Sequence, residues 1–585
     1  LIILFFWSFS ISSQEWTLVE MDNVAELGIR DIKASIFKLY AIDEQILKNT
    51  LFDAPYESEV SGAFNSQTQI QLPTADGRMH TFAMVSYHLL HPDLQKQFPD
   101  IKAFYGICLE NAAMTVVADY SPTYGFRAVV SQPGVGKTYI DHFQRNDLKH
   151  RIVYYRKDYQ KFSNWKCGVV SEQHDSRETG NGNRALLIGD CMFREYRLAL
   201  ACTGEYAAFH GGTIAGALAG MNTTMNRVNG VFAQEIAIRC VIISNNTSIM
   251  YTNGTTDPFN NNDGVALLDQ NQINTTSLIG TANYDIGHIF STGGGGVAQL
   301  RSVCVGPNGS GTTGKARGVT GSGSPVGDPF DIDYVAHEMG HQLGANHTQN
   351  NSCQRNNDTA MEPGSASSIM GYAGICSPDV QSNSDENYHA VSLGEIKSFL
   401  AGVGSNCDIP VAGYSNAPPN ISAPTNNTTY NIPRSTPFAL TMTATDPNGN
   451  GILYGWDQMN NDIGTMPPAA TNTVGPMFRF VEPTTNPTRY FPNLTAVLTG
   501  ALVGAPFGGN NWEVVPSVAR TMNFRGVARD VTPMSASCNS EVNVIVNTVA
   551  SAGPFTITSQ NSAITWPQAS QQVVTWDVAG TTTNG

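Results

Sequence analysis

Apolar positions fall at helical spacing in three places along this chain, and alternate with polar ones over a long stretch near its end. Ile214, Leu218, Met221, Met225, Val228 and Phe232 stand three or four apart, which predicts a helix with one buried face over 212–232. Val335, Met339 and Leu343 repeat that spacing, and 392–400 reads as a further helix. Residues 196–202, 236–244 and 286–290 are short runs rich in β-branched and apolar residues, the signature of strands. Strand, helix, strand, strand, helix is an α/β order. Upstream, residues 15–190 mix β-like and polar segments. Downstream, 406–419 turns to Pro, Asn and Ser and reads as a linker. Residues 420–548 then alternate β-branched and polar positions between frequent turns, which predicts an immunoglobulin-like or fibronectin-like sandwich over 418–548. Residues 552–585 read as the start of a further β module whose pattern stops short.

Composition narrows the setting. Residues 1–13 are an apolar run closing on small residues, so 1–14 are read as part of a signal peptide. No later apolar run is long enough to span a bilayer. The net charge is −15, charged residues are 14% of the chain, and no basic patch appears, which excludes nucleic acid as an expected partner. The ten cysteines are scattered rather than paired as C-x-x-C, which argues against a cysteine-ligated zinc site. In a secreted, extracellular chain they are available for disulfides.

The chemistry is concentrated between Asp331 and His347. His337, Glu338, His341, Gly344 and His347 spell H-E-x-x-H-x-x-G-x-x-H. Histidines four apart project from one face of a helix and can grip one zinc ion at about 2.0–2.1 Å. Glu338, beside the first histidine, is placed to act on a zinc-bound water as general base. Gly344 can end the helix in a left-handed turn, so that His347 swings back to the same ion. Three histidines leave one coordination position open, as a catalytic zinc requires. Asp328 is expected to cap this helix, with Pro329 at its first position and Asp331 in its first turn.

The zinc motif followed by Ser368, Ile369, Met370, Gly371 and Tyr372 resembles the metzincin metallopeptidases. With residues 284–290 and the glycines 293–296, the stretch 194–408 resembles the reprolysin (adamalysin) branch, particularly its secreted bacterial members. The resemblance implies a metzincin-type α/β catalytic domain over 191–408. It would have a twisted mixed sheet carrying the active-site helix and a C-terminal subdomain with the Met-turn. It also implies that Met370 lies beneath the zinc without binding it, and that residues 297–300 form the edge strand that pairs with an extended substrate. Thr348 departs from the Asp that many reprolysins carry after the third histidine. Tyr372 stands where the Met-turn tyrosine of astacins and serralysins lies, a candidate for oxyanion stabilisation against the plainer reading of a packed turn aromatic. Lys166, Cys167, Gly168 and Val169 resemble the cysteine-switch core of adamalysin and matrix metallopeptidase propeptides. A thiolate there would fill the fourth zinc position, making 15–190 a propeptide. The alternative is a structural cysteine, paired with Cys108 or Cys191. Cys353 and Cys376 bracket the segment after His347, where a disulfide would brace the wall of the cleft. The glycine-, asparagine- and arginine-rich stretch 171–193 reads as an activation linker, with Arg177 and Arg184 as candidate cleavage sites.

Three other patterns fail. Residues 131–138 resemble a phosphate-binding loop, but Ser131 replaces the first glycine; residues 309–315 nearly fit, but Ala316 replaces the Ser/Thr that follows the lysine. Residues 446–451 resemble the start of a calcium loop without flanking helices, so calcium is unsupported and a tight turn is the better reading. The expectation is a secreted zinc endopeptidase, made as a zymogen, with one catalytic zinc, acting on protein or peptide substrates. Its β modules are candidates for binding a surface or the substrate. The competing reading is a non-catalytic secreted adhesin with a vestigial metal domain, against which the intact Glu338 stands.

Overall fold

The computed structural model describes residues 16–159, 161, 167–170, 190–293, 295–308, 312–559 and 562–584. The expected signal peptide, most of the expected linker with Arg177 and Arg184, and residues 309–311 of the second glycine-rich motif lie outside these residues. Nine strands between Thr17 and Tyr155 form one antiparallel sheet in which each strand from the third to the ninth pairs with the next and the first two join onto the ninth. Long alternating strands such as Met79–Tyr87 and Gly125–Gln132 put Phe82, Met84, Phe126 and Ala128 into one core. Residues 131–138 are the end of one strand, a turn at Gly134 (φ +79°) and the start of the next, a hairpin with no helix to receive a phosphate.

The central unit has the predicted α/β order. Its sheet runs Cys167–Val170, Gly296–Gln299, Gly318–Gly321, Ile286–Ser291, Arg194–Cys202, Ile238–Ile242, and all neighbours are parallel except Gly296–Gln299 against Gly318–Gly321. The helix predicted over 212–232 spans Ile214–Ile236, with the Thr213 side chain accepting from Gly216 N–H. It is buried on nearly all sides, not one. The polar side faces the N-terminal sheet: Thr223 donates to Asp119 at 2.6 Å, Asn226 to Ala118 O at 2.8 Å, and Arg227 pairs with Asp141 at 2.6 Å. Periodicity alone cannot distinguish a face turned to water from one turned to a polar partner.

The zinc-motif helix begins differently from expectation. Pro329–Ala336 is wound as a π-helix that passes into α-helix over His337–Gln342. Asp328 makes no cap; its carboxylate is buried against Arg156 at 3.0 Å and Tyr139 at 2.6 Å. A cation 172 residues earlier in the chain outcompetes the local amides for it.

Beyond residue 410 lies a β unit. Arg520–Val531 is flanked by antiparallel Gly451–Gln458 and Asn539–Val549, and Thr428–Pro433 adds in parallel to the last. With the pair Phe438–Thr441 and Thr488–Phe491 it encloses Leu440, Trp456, Phe478, Phe491 and Phe524. Residues 446–451 form a turn in which the Asp446 side chain accepts from Asn448 and Asn450 N–H at 2.9 Å. Three disulfides are present, Cys191–Cys538, Cys304–Cys407 and Cys353–Cys376. The last is the bracket expected from the sequence.

Candidate active site

His337 and His341 leave the same side of the α-helical turn, as their spacing predicts. Gly344 sits at φ +108°, packs against Phe399 and turns the chain so that His347 returns to the other two. Gly340 leaves room for the Met-turn: a Cβ there would meet Met370 Sδ at 2.6 Å. The Met-turn methionine therefore packs directly under the helix that carries the histidines.

The three imidazoles converge. His341 Nε2 is 3.1 Å from both His337 Nε2 and His347 Nε2. Each ring is steered from behind by a backbone carbonyl: His337 Nδ1 donates to Ile369 O at 2.7 Å, His341 Nδ1 to Ala345 O at 2.7 Å, and His347 Nδ1 to Gln354 O at 3.0 Å. A carbonyl can only accept, so each proton sits on Nδ1 and three Nε2 lone pairs point at one another. Burial pushes all three histidines below their ordinary pKa, His337 to about 3, and each is pushed further by a neighbouring imidazole. Converging lone pairs without a proton between them are a cation's donor set.

Cys167 completes that set. Its sulfur lies 3.7 Å from His341 Nε2 and 3.6 Å from His347 Nε2, and it is a free, buried thiol. A tetrahedral ion with nitrogens at about 2.0–2.1 Å and sulfur at about 2.3 Å has edges of roughly 3.3 and 3.6 Å. The observed separations match a zinc site of this kind. The alternative pairings of Cys167 are corrected here, since Cys191 bonds Cys538 and Cys108 is free. Glu338 is fully buried, and among the described residues no donor but the nearby Cys167 thiol approaches its oxygens. Burial holds its carboxyl well above the usual range, partly offset by that thiol; burial and the Glu338 charge push the thiol up in turn.

Tyr372 meets His347 edge-on with ring centroids 4.6 Å apart, and its hydroxyl donates to Gln354 Oε1 at 3.0 Å. His288, in the central strand, is tied to Gln342 and Thr320 at 2.8 Å and takes no part in the cluster. Two residues escaped the sequence reading. Glu362, buried, accepts from Ser367 N–H at 2.9 Å, from Ser368 N–H at 3.1 Å and from the Ser368 hydroxyl, and so anchors the Met-turn. The second is Gln354. A further group, His80, Cys108 and Glu110, brings metal-ligand types together in the N-terminal sheet. There Glu110 is exposed and already accepts from the Cys108 thiol and Thr81 N–H.

Residues 193–399, about a third of the chain, match the family described as Metallo-peptidase family M12B Reprolysin-like. No curated protein matches the chain. No helix among the described residues is long and apolar enough to cross a membrane. The region matched spans the helix, the converging histidines and the Met-turn, and with them the chain carries a reprolysin-type metallopeptidase domain: it is a zinc metalloendopeptidase.

Proposed function

We propose that the protein is a secreted endopeptidase made as a zymogen, with residues 15–190 as propeptide, 191–408 as catalytic domain, and activation by cleavage within 171–193. One observation carries the latency reading: the Cys167 sulfur stands 3.6–3.7 Å from two of the three converging imidazoles, on a strand laid along the open edge of the catalytic sheet. Three disulfides are consistent with export into an oxidising compartment.

In this reading His337, His341 and His347 hold one zinc. When bound, zinc supplies Lewis acidity and brings the pKa of water in its open position toward about 7. Glu338 would take a proton from the attacking water as its oxygen adds to the peptide carbonyl carbon, then deliver that proton to the departing amine as the C–N bond breaks. Once Cys167–Val170 has left, Gly296–Gln299 is free to pair with an extended substrate main chain, which favours peptides with little regard to sequence. Tyr372, edge-on to His347, would donate toward the oxyanion by exchanging its bond to Gln354 for one to the substrate.

Replacing Glu338 by Gln tests the assignment. The matured variant is expected to retain one zinc, by elemental analysis, and to lose about two to four orders of magnitude in casein turnover. A chelator should abolish what remains in the parent. Near-normal turnover with zinc in place would remove Glu338 as the base.

A further inference from the structure

Gln354 is an exposed residue in a left-handed backbone conformation (φ +46°), which side chains other than glycine seldom adopt. Its neighbours enforce that conformation. Cys353 is locked to Cys376, and Arg355 bonds Asn461 O of the C-terminal β unit. A strained residue pinned on both sides beside a reactive centre usually has its side chain aimed at something.

Here it is aimed at a main chain. Gln354 Nε2 donates to Cys167 O at 2.6 Å, its Oε1 accepts from Tyr372, and its own carbonyl orients His347 at 3.0 Å. The Cys167–Val170 strand is thus gripped along one side by Gly296–Gln299 and, at its cysteine, by an amide that reads only a peptide carbonyl. Neither contact depends on a cysteine side chain. Any extended chain crossing the cleft meets the same two walls.

We propose that Gln354 is a substrate-binding residue of the peptidase, donating its side-chain N–H to the carbonyl of the substrate residue nearest the zinc. The Cys167 strand borrows this clamp. The clamp is coupled to the site from behind, since one residue orients both a histidine and the Tyr372 hydroxyl. The proposal rests on the zinc-peptidase reading and adds to it the group that registers the substrate main chain.

Gln354→Glu keeps an acceptor for Tyr372 and removes the donor; Gln354→Ala removes both. In the matured enzyme, Gln354→Glu should raise KM for peptides about tenfold, the scale of one lost hydrogen bond, with zinc content unchanged and kcat within about threefold. A series of peptides carrying one thioamide each, a poorer acceptor, should show a KM penalty at one position beside the scissile bond in the parent enzyme. That penalty should vanish in Gln354→Glu. In the uncleaved precursor the same variant should speed alkylation of Cys167 by iodoacetamide about tenfold while zinc stays bound. Should Gln354→Ala fail to fold, Gln354→Glu and the thioamide series in the parent enzyme decide. Unchanged KM and an unchanged thioamide penalty in a folded, zinc-loaded Gln354→Glu enzyme would overturn the role while leaving the zinc-peptidase reading intact. A parent protein that binds no zinc and cleaves no peptide would overturn both.

Discussion

Two β-rich units flank the zinc-helix region, and they grip it in different ways. The N-terminal unit shares an apolar core with the catalytic domain, through Tyr87, Leu89, Leu90 and Tyr105, and adds buried polar contacts: Arg156 on Asp328, Lys161 on Asp333 at 2.7 Å, Asp141 on Arg227, and Glu57 on Arg239 at 2.6 Å. The C-terminal unit also uses ion pairs, Arg529 with Glu235 at 3.2 Å and Glu541 with Lys397 at 3.0 Å, but adds the Cys191–Cys538 bond. Their targets differ as well. The N-terminal cations neutralise Asp328 and Asp333, in and just before the segment leading into His337. The C-terminal unit reaches the back of the Met-turn, where the Ser367 hydroxyl donates to Phe480 O at 3.1 Å. Buried ion pairs fix geometry more than they add net stability, because their desolvation offsets most of their attraction. A unit held without a covalent bond can leave once the chain is cut; a unit cross-linked to the first residues of the domain stays. Covalent attachment thus separates the proposed prodomain from a permanent support.

The sharpest break of this comparison is at Cys167, where the releasable unit touches the site. Cys167→Ser in the uncleaved chain should raise peptidase activity by at least about two orders of magnitude, or make the chain cut itself early. A tethered thiol competes at an effective concentration in about the millimolar range and a serine hydroxyl does not. A Cys167→Ser precursor that folds, binds zinc and stays as latent as the parent would leave blockage by bulk as the only source of latency.

The next break concerns the permanent support. Cys191 follows both candidate cleavage sites, Arg177 and Arg184, so enzyme matured at either should keep the C-terminal unit through Cys191–Cys538 even after a nick within 411–419. Cys538→Ala should lower the unfolding free energy by about 2–4 kcal/mol, measured by denaturant titration with zinc present. A non-reducing gel of nicked enzyme should show one band, and after reduction two. Separation of the nicked parent without reductant would mean that the two regions are held alike.

The two regions also differ in how far the sequence alone disclosed them. The zinc motif was legible because its chemistry is local: a helix converts spacing i, i+4 into one face, and glycine converts the turn into a third ligand. The central strand and helix order was legible for the same reason. What escaped was decided by distant partners. Asp328 looked like a cap because Arg156 is 172 residues away. The partners of the polar side of the Ile214–Ile236 helix were not legible because Asp119 and Asp141 lie in another unit. Gln354 and Glu362 lie in an irregular segment with no period to read, and only the tertiary fold places them at the site. Cys167 was readable as a motif, but its approach to the histidines was not.

The smallest expected effect is in pH, and it sharpens the comparison by acting on one interface alone. His210 lies where the Ile214–Ile236 helix meets the N-terminal sheet, with its Nδ1 on the Tyr124 hydroxyl. Burial lowers its pKa to about 3, helped by the positive Arg127 and Arg145; Asp31 acts the other way and His142, itself lowered by burial, adds slightly. A histidine lowered in the fold is neutral there, while the unfolded chain takes up a proton below about pH 6.5. Stability is therefore fully present above about 6.5 and falls as pH drops toward 3, by at most about 1.4 kcal/mol per pH unit from this residue. Asp328 and Glu482, each raised to about 7 by burial, work in the opposite sense: the fold holds their protons more tightly, and they add stability as pH falls from about 7 toward 4. The whole-chain profile mixes these trends, so the difference between parent and His210→Gln is the informative quantity. Denaturant titrations at pH 7.5 and 4.5 should show the variant losing less stability on acidification than the parent. Hydrogen exchange should place that difference in the N-terminal sheet and not in the β unit beyond residue 410. Equal acid losses in both proteins would show that His210 is already charged in the fold, and that the releasable interface carries no acid sensitivity at this point.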